Sequence, residues 1–203
     1  RQLRVREIYE FEILEIKDNW IKIKTWYDDY QGWIDFRQCE QIDDKLFSAV
    51  NENSSVFSFD RVACAVNSIG QVVILSGSPL PFFINGTLQI NRHKYNYTGN
   101  TSTLIQEQNL NIQDVAMEYL NAPYLWGGRS PLGIDCSGFT QQVFRFFGIR
   151  LPRDANKQEE GGVLVKELSS IQPGDLAFFA GTDEKIIHTG IIIRGNKIIH
   201  ASG

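Results

Sequence analysis

"YLWGGRSPLGIDCSGFTQQVF", residues 124–144, decides how the second half of this chain is read. A glycine-rich approach (Gly127, Gly128, Gly133) runs into Asp135 and then Cys136. Cys136, Phe139, Val143, Phe144 and Phe147 follow at the spacing of one helix face, which predicts a helix from Cys136 to about Phe147, stopped by Gly148. The cysteine then lies in the first turn, where unpaired N–H groups and the helix dipole favour negative charge. That setting suits a thiolate nucleophile. It is equally compatible with packing, because cysteine is among the most buried residues and Cys136 sits on the apolar stripe. On the helix alone, packing is the favoured reading. The glycines are expected to leave room for an extended peptide. Asp135 is either a helix N-cap or a substrate contact.

Outward from this stretch, Ile112, Val115, Ala116, Tyr119 and Leu120 predict an earlier amphipathic helix ended by Pro123. Three strands are expected at 174–180, 185–193 and 196–202. Helices first and antiparallel strands after them make an α+β layout. Two of the three histidines, His188 and His200, fall in the last two of these strands, inside "IIHTG" and "IIHAS". A polar ring among isoleucines needs a partner when buried. With Cys136 they fit a nucleophile, a base and an orienting residue. A metal site is the rival, but the spacing matches no compact zinc pattern and the chain has no C-x-x-C. Register sets a condition. A two-residue turn at Gly195–Asn196 would put the two imidazoles on opposite faces of the sheet, so a shared face needs an odd-length loop or a bulge near Arg194–Lys197.

The first half has another texture. "FEILEI" (11–16), "NWIKIKTW" (19–26) and "YQGWIDF" (30–36) alternate with a two-residue period around polar turns, and residues 54–103 repeat the style. Two small β units are expected, over 1–45 and 54–103, followed by a polar linker at 104–111 and a third domain over 110–203. The loop "YDDYQGW" places Tyr27, Tyr30 and two acids at a turn, an arrangement suited to capping a short cationic end. The whole chain has 203 residues, is 42% hydrophobic, and carries a net charge of −4 without a lysine or arginine run. Nucleic acid and anionic membranes are therefore poor partners. No apolar run reaches the roughly 18 residues of a membrane span. Three cysteines at irregular spacing argue against a disulfide framework and for a reducing compartment. Four N-x-S/T sequons are read as chance in so Asn- and Ser-rich a chain. The start at Arg1 suggests that an upstream piece is absent.

"YLWGGRSPLGIDCSGF", "LPRDANKQ", "PGDLAFF", "HTGIII" and "IIHAS" together resemble, in order, the motifs of the NlpC-type cysteine peptidases, from Tyr119 to the end. The resemblance implies a papain-like catalytic domain that cleaves bacterial wall stem peptides between γ-D-glutamate and a diamino acid, meso-diaminopimelate or lysine. It implies Cys136 as nucleophile, His188 as base and His200 as orienter. Tyr124 is implied as an oxyanion or substrate contact, with Asp135, Ser137, Arg153, Asp154 and Tyr30 binding the substrate. The upstream β units resemble bacterial SH3-like barrels, one or two of which accompany this domain in a subgroup acting on short peptides with a free N-terminal L-Ala. The expected partner is a peptide such as L-Ala-γ-D-Glu-diaminopimelate, bound by a monomer without metal or other cofactor. The cytoplasm is expected ahead of the periplasm or envelope. Two rivals stand beside this: a thiol amidase or acyltransferase on the same scaffold, and a non-catalytic wall-binding protein. Two departures from the pattern are Ala155, where many relatives carry serine, and the end of the chain at Gly203, directly after "HAS".

Overall fold

The computed structural model describes residues 11–39, 42, 44–52, 55–90, 93–103 and 111–203. The chain divides into two compact units, Arg1–Thr103 and Leu104–Gly203. Both β-rich sequence segments fall in the first.

The first unit carries β1 (Phe11–Lys17), β2 (Trp20–Thr25), β3 (Gln31–Asp35), α1 (Asp44–Glu52), β4 (Val56–Ser58), β5 (Val62–Val66), β6 (Gln71–Leu75), β7 (Thr87–Ile90), β8 (His93–Tyr97) and β9 (Thr101–Thr103). The alternation read from "NWIKIKTW" is real: Ile21 and Ile23 are buried while Trp20 is exposed. The strands pair antiparallel as β1-β2-β3, β4-β9 and β6-β5-β8-β7. These are separate open sheets, and no closed barrel occurs among the described residues. Ala63, Ala65, Ile74, Leu80, Leu88 and Tyr97 form the core of the four-stranded one. Helix α1 was not anticipated by the β reading of this half. Of the expected linker, 104–110 lies outside the described residues. Asn111 caps the next helix, its Oδ1 accepting from Asp114 N at 3.0 Å.

The second unit carries α2 (Ile112–Met117), β10 (Arg129–Ser130), β11 (Gly133–Ile134), α3 (Cys136–Arg145), α4 (Ala155–Glu160), β12 (Leu176–Ala180), β13 (Ile186–Ile193) and β14 (Lys197–Ile199). Helix α2 is shorter than its periodicity predicts. After Met117 the chain tightens into i→i+3 turns, Tyr119 to Ala116 and Leu120 to Met117. Helix α3 begins at Cys136 as expected. It ends with Ile149 N bonded to Phe144 O, Gly148 N to Arg145 O, and Gly148 at φ +71°. That is a left-handed glycine stop. The helix is buried on every side, not along one stripe alone: Thr140, Gln141 and Gln142 are each no more than 1% exposed. The 151–158 segment meets this polar side with hydrogen bonds, among them Gln141 Nε2 to Leu151 O at 2.8 Å and Thr140 Oγ1 to Gln158 Oε1 at 2.7 Å. The sheet order is β12-β13-β14, and α3 and α4 both pack on β13.

Candidate active site

The nucleophile candidate stands at the start of α3. Asp135 is the N-cap, with extended backbone and Oδ1 accepting from Gly138 N at 2.7 Å. Its other oxygen accepts from Gly127 N at 2.7 Å. The Arg153 guanidinium closes on the same carboxylate as a fork, 3.0 Å to Oδ1 and 2.6 Å to Oδ2, and also donates to Ser137 Oγ at 2.9 Å. Asp135, Ser137 and Arg153 are all buried. Burial pushes the Asp135 carboxyl up, but Arg153 and the two backbone donors outweigh it and hold the group below its ordinary range. Four donors at 3.0 Å or less occupy this carboxylate. Of the two readings of Asp135, the N-cap is observed, and Arg153 balances its charge.

The glycines also serve the protein itself. A Cβ on Gly128 would lie 2.4 Å from Gly133 O, and one on Gly138 2.3 Å from Gly128 O. The loop needs these two positions bare so that it can press against the first turn of α3, whereas a Cβ on Gly127 would meet nothing within 4 Å.

His188 and His200 meet: His188 Nε2 lies 2.9 Å from His200 Nδ1, with the rings nearly perpendicular. The register condition is satisfied by a three-residue loop. Ile193 pairs with Lys197, leaving Arg194, Gly195 and Asn196, with Gly195 at φ +78° and Asn196 at φ +53°. The loop is odd, so both imidazoles share a face. Continued one pair further, the ladder sets Gly190 against His200. A Cβ there would sit 2.7 Å from Ile198 Cγ2 and 3.0 Å from His200 Cβ. Phe179, paired with His188, packs its ring 5.6 Å away. Burial, and then the neighbouring His200, push His188 below its ordinary value. Both effects favour the neutral form of this candidate base. Among the described residues no hydrogen bond joins Cys136 to His188. The packing of α3 on β13 brings their elements together, and such contacts often tighten only with substrate bound.

Tyr124 is held between two backbone bonds, Ile134 N to Pro123 O and Leu125 N to Ile134 O. Its ring approaches Gly203. Burial, and then the adjacent Cys136 and Asp135, push its phenol up, which keeps it a donor. Asp154 caps α4 without a side-chain hydrogen bond and is exposed. Tyr30 lies in the first unit, exposed at the β2–β3 turn. The acids of that turn are used locally: Asp28 accepts from Thr25 and Asp29 pairs with Lys24 at 2.6 Å. Cys39 follows a 3-10 turn and is not in a strand, whereas Cys64 lies in β5. All three cysteines are free. Among the described residues no group of three or more His, Cys, Asp or Glu is placed to hold a metal, and no helix is long and apolar enough to cross a membrane. Sequence reasoning passed over Gln158, Thr140 and Gly190. Gln158 stood in a quoted motif, but nothing in its neighbours showed that its amide turns inward.

Residues 121–203 match the NlpC/P60 family. A γ-D-glutamyl-L-lysine dipeptidyl-peptidase of Bacillus subtilis is 44% identical over 41% of this chain and 28% of its own length. The chain thus spans less than a third of that relative. A probable endopeptidase of Haemophilus influenzae is 34% identical over 64% of this chain and 80% of its own length. The crystal structure of an NlpC/P60 family protein from Bacillus cereus shares the fold over 94% of this chain and 70% of that one, with a TM-score of 0.80 at 21% identity. With its motifs in order and four-fifths of the Haemophilus relative covered, the chain belongs to the NlpC/P60 family.

Proposed function

We propose that the chain is a cysteine peptidase that hydrolyses the γ-D-glutamyl–diamino-acid bond of short wall peptides with a free amino end, as in peptidoglycan recycling in the cytoplasm. The observation that carries this is the 2.9 Å His188–His200 pair on the sheet that α3, headed by Cys136, packs against. The name of the Bacillus subtilis relative supports the bond.

With His188 Nε2–H donating to His200 Nδ1, His188 Nδ1 carries the lone pair and faces the chemistry. It takes the Cys136 proton. The sulfur attacks the γ-carbonyl and a C–S bond forms. The oxyanion accepts from the Cys136 N–H, one of the unpaired donors of the helix start, and from the Tyr124 hydroxyl. Collapse breaks the C–N bond while the His188 imidazolium protonates the leaving amine. Water then gives a proton to His188, attacks the thioester and restores the thiol. His200 holds the tautomer. Asp135, Ser137 and Arg153 act on substrate through the geometry of the first turn, and Asp154 offers the exposed carboxylate for a substrate ammonium. We read the β-rich first unit as the SH3-like companion of this domain.

The test is L-Ala-γ-D-Glu-diaminopimelate, its N-acetyl form and intact sacculi, with products read by mass spectrometry. Release of L-Ala-γ-D-Glu from the free peptide, absent in Cys136→Ala, supports the reading. Cleavage elsewhere, or only in sacculi, contradicts it. Tyr30→Ala tests the remaining residue: unchanged kcat/KM on the free peptide removes Tyr30 from the substrate contacts.

A further inference from the structure

Gln158 is 2% exposed and belongs to none of the catalytic groups. Its Nε2 donates to Ser137 O at 3.0 Å and to Pro152 O at 2.8 Å, and its Oε1 accepts from Thr140 Oγ1 at 2.7 Å. Both amide protons and one carbonyl lone pair are thus in use. Thr140 Oγ1 lies 3.0 Å from Ser137 O as well. One amide joins the carbonyl directly after Cys136 to the carbonyl directly before Arg153. Arg153 in turn holds Asp135 and Ser137, the residues on either side of Cys136.

We propose that Gln158 is a positioning residue for the nucleophile: its buried amide, with Thr140, fixes the first turn of α3 against the Arg153 segment and so sets where the Cys136 sulfur points. This rests on Cys136 being the nucleophile. A closed polar network with every donor used has one low-energy arrangement, since any shift leaves a buried polar group unpaired. An apolar residue of similar size would fill the space but permit the turn to slide. A displacement of about 1 Å at a reacting atom is enough to cost on the order of a hundredfold in rate.

The experiment compares wild type with Gln158→Leu and Thr140→Val. Val143→Ala serves as a control for a buried α3 side chain outside the network; Val143 is fully buried. Thermal melts establish that each variant folds. Two readouts follow: kcat and KM on L-Ala-γ-D-Glu-diaminopimelate, and the iodoacetamide rate of Cys136 at pH 7, which needs no substrate. The expected result is a kcat more than about tenfold lower for Gln158→Leu, with KM within about threefold and slower Cys136 alkylation. Thr140→Val should show the same pattern more weakly, and Val143→Ala should lose melting temperature while keeping kcat. If Gln158→Leu loses melting temperature alone, like the control, Gln158 is merely structural and the proposal is overturned. Should Gln158→Leu fail to fold, Thr140→Val decides alone by the same criteria. If wild-type Cys136 alkylates no faster than Cys39, the nucleophile reading fails and the proposal falls with it. If wild type leaves this peptide uncut but Cys136 is fast, the substrate reading fails while the alkylation comparison still decides the proposal.

Discussion

Asp135 stands one residue before the proposed nucleophile, Cys136, where an anion would oppose a thiolate. Arg153 removes that conflict at 2.6 Å, and both groups are buried. Removing one partner of a buried pair leaves an unpaired charge, so Arg153→Ala should cost about 3–5 kcal/mol in urea unfolding. Lys157→Ala, which breaks an exposed pair with Glu160, should cost less than about 1 kcal/mol. Asp135 has a folded pKa below its unfolded one. Its contribution to stability is therefore complete above the unfolded value and is lost as pH falls through the folded one. Unfolding curves of Asp135→Asn should be flatter than wild type across that acid window. At His188 the sign governs activity. Burial and His200 hold it below 6.5, so the acid limb of kcat/KM should fall below that pH. His200→Ala removes one of the two causes and should move the limb upward towards 6.5.

At the scale of the element, the β13–β14 hairpin decides whether there is a site. Its loop of Arg194, Gly195 and Asn196 is odd, and that parity alone puts both imidazoles on one face. Deleting Asn196 should turn His200 to the opposite face and abolish hydrolysis while the first unit still folds, as activity and circular dichroism would show. Gly190 is the second requirement. Gly190→Ala places a Cβ within 3.0 Å of His200 Cβ and Ile199 O, and should cost about 1–3 kcal/mol with loss of the 2.9 Å His–His contact. The sequence placed His188 in its strand and asked for an odd loop or a bulge; it put His200 inside the next strand, whereas β14 ends one residue earlier, at Ile199. It could not tell that Gly190 makes the space, because that depends on which residue the ladder brings opposite.

Across the whole molecule, legibility followed periodicity. Cys136 at a helix start, the Gly148 stop and the alternating β2 could each be read from spacing, because burial on one face leaves a period in the chain. Helix α4 and the polar side of α3 left none, while the helical spacing of Leu46, Phe47 and Val50 in α1 was passed over by the β reading of that half. Thr140, Gln141 and Gln158 look like surface residues until another segment folds over them, and their burial is supported by hydrogen bonds, not apolar contact. The Asp135–Arg153 pair was hidden for the same reason: the partners lie 18 residues apart, with all of α3 between them. The account stands on Cys136 being chemically unlike Cys39 and Cys64, although all three are free thiols in one chain. Site-resolved iodoacetamide labelling of the intact protein at pH 7, read by peptide mass spectrometry, measures that difference directly. The account predicts that Cys136, 8% exposed, reacts at least about tenfold faster than the more accessible Cys39 and Cys64, and that His188→Ala abolishes the advantage. Equal labelling of all three, or labelling in order of exposure, would contradict it.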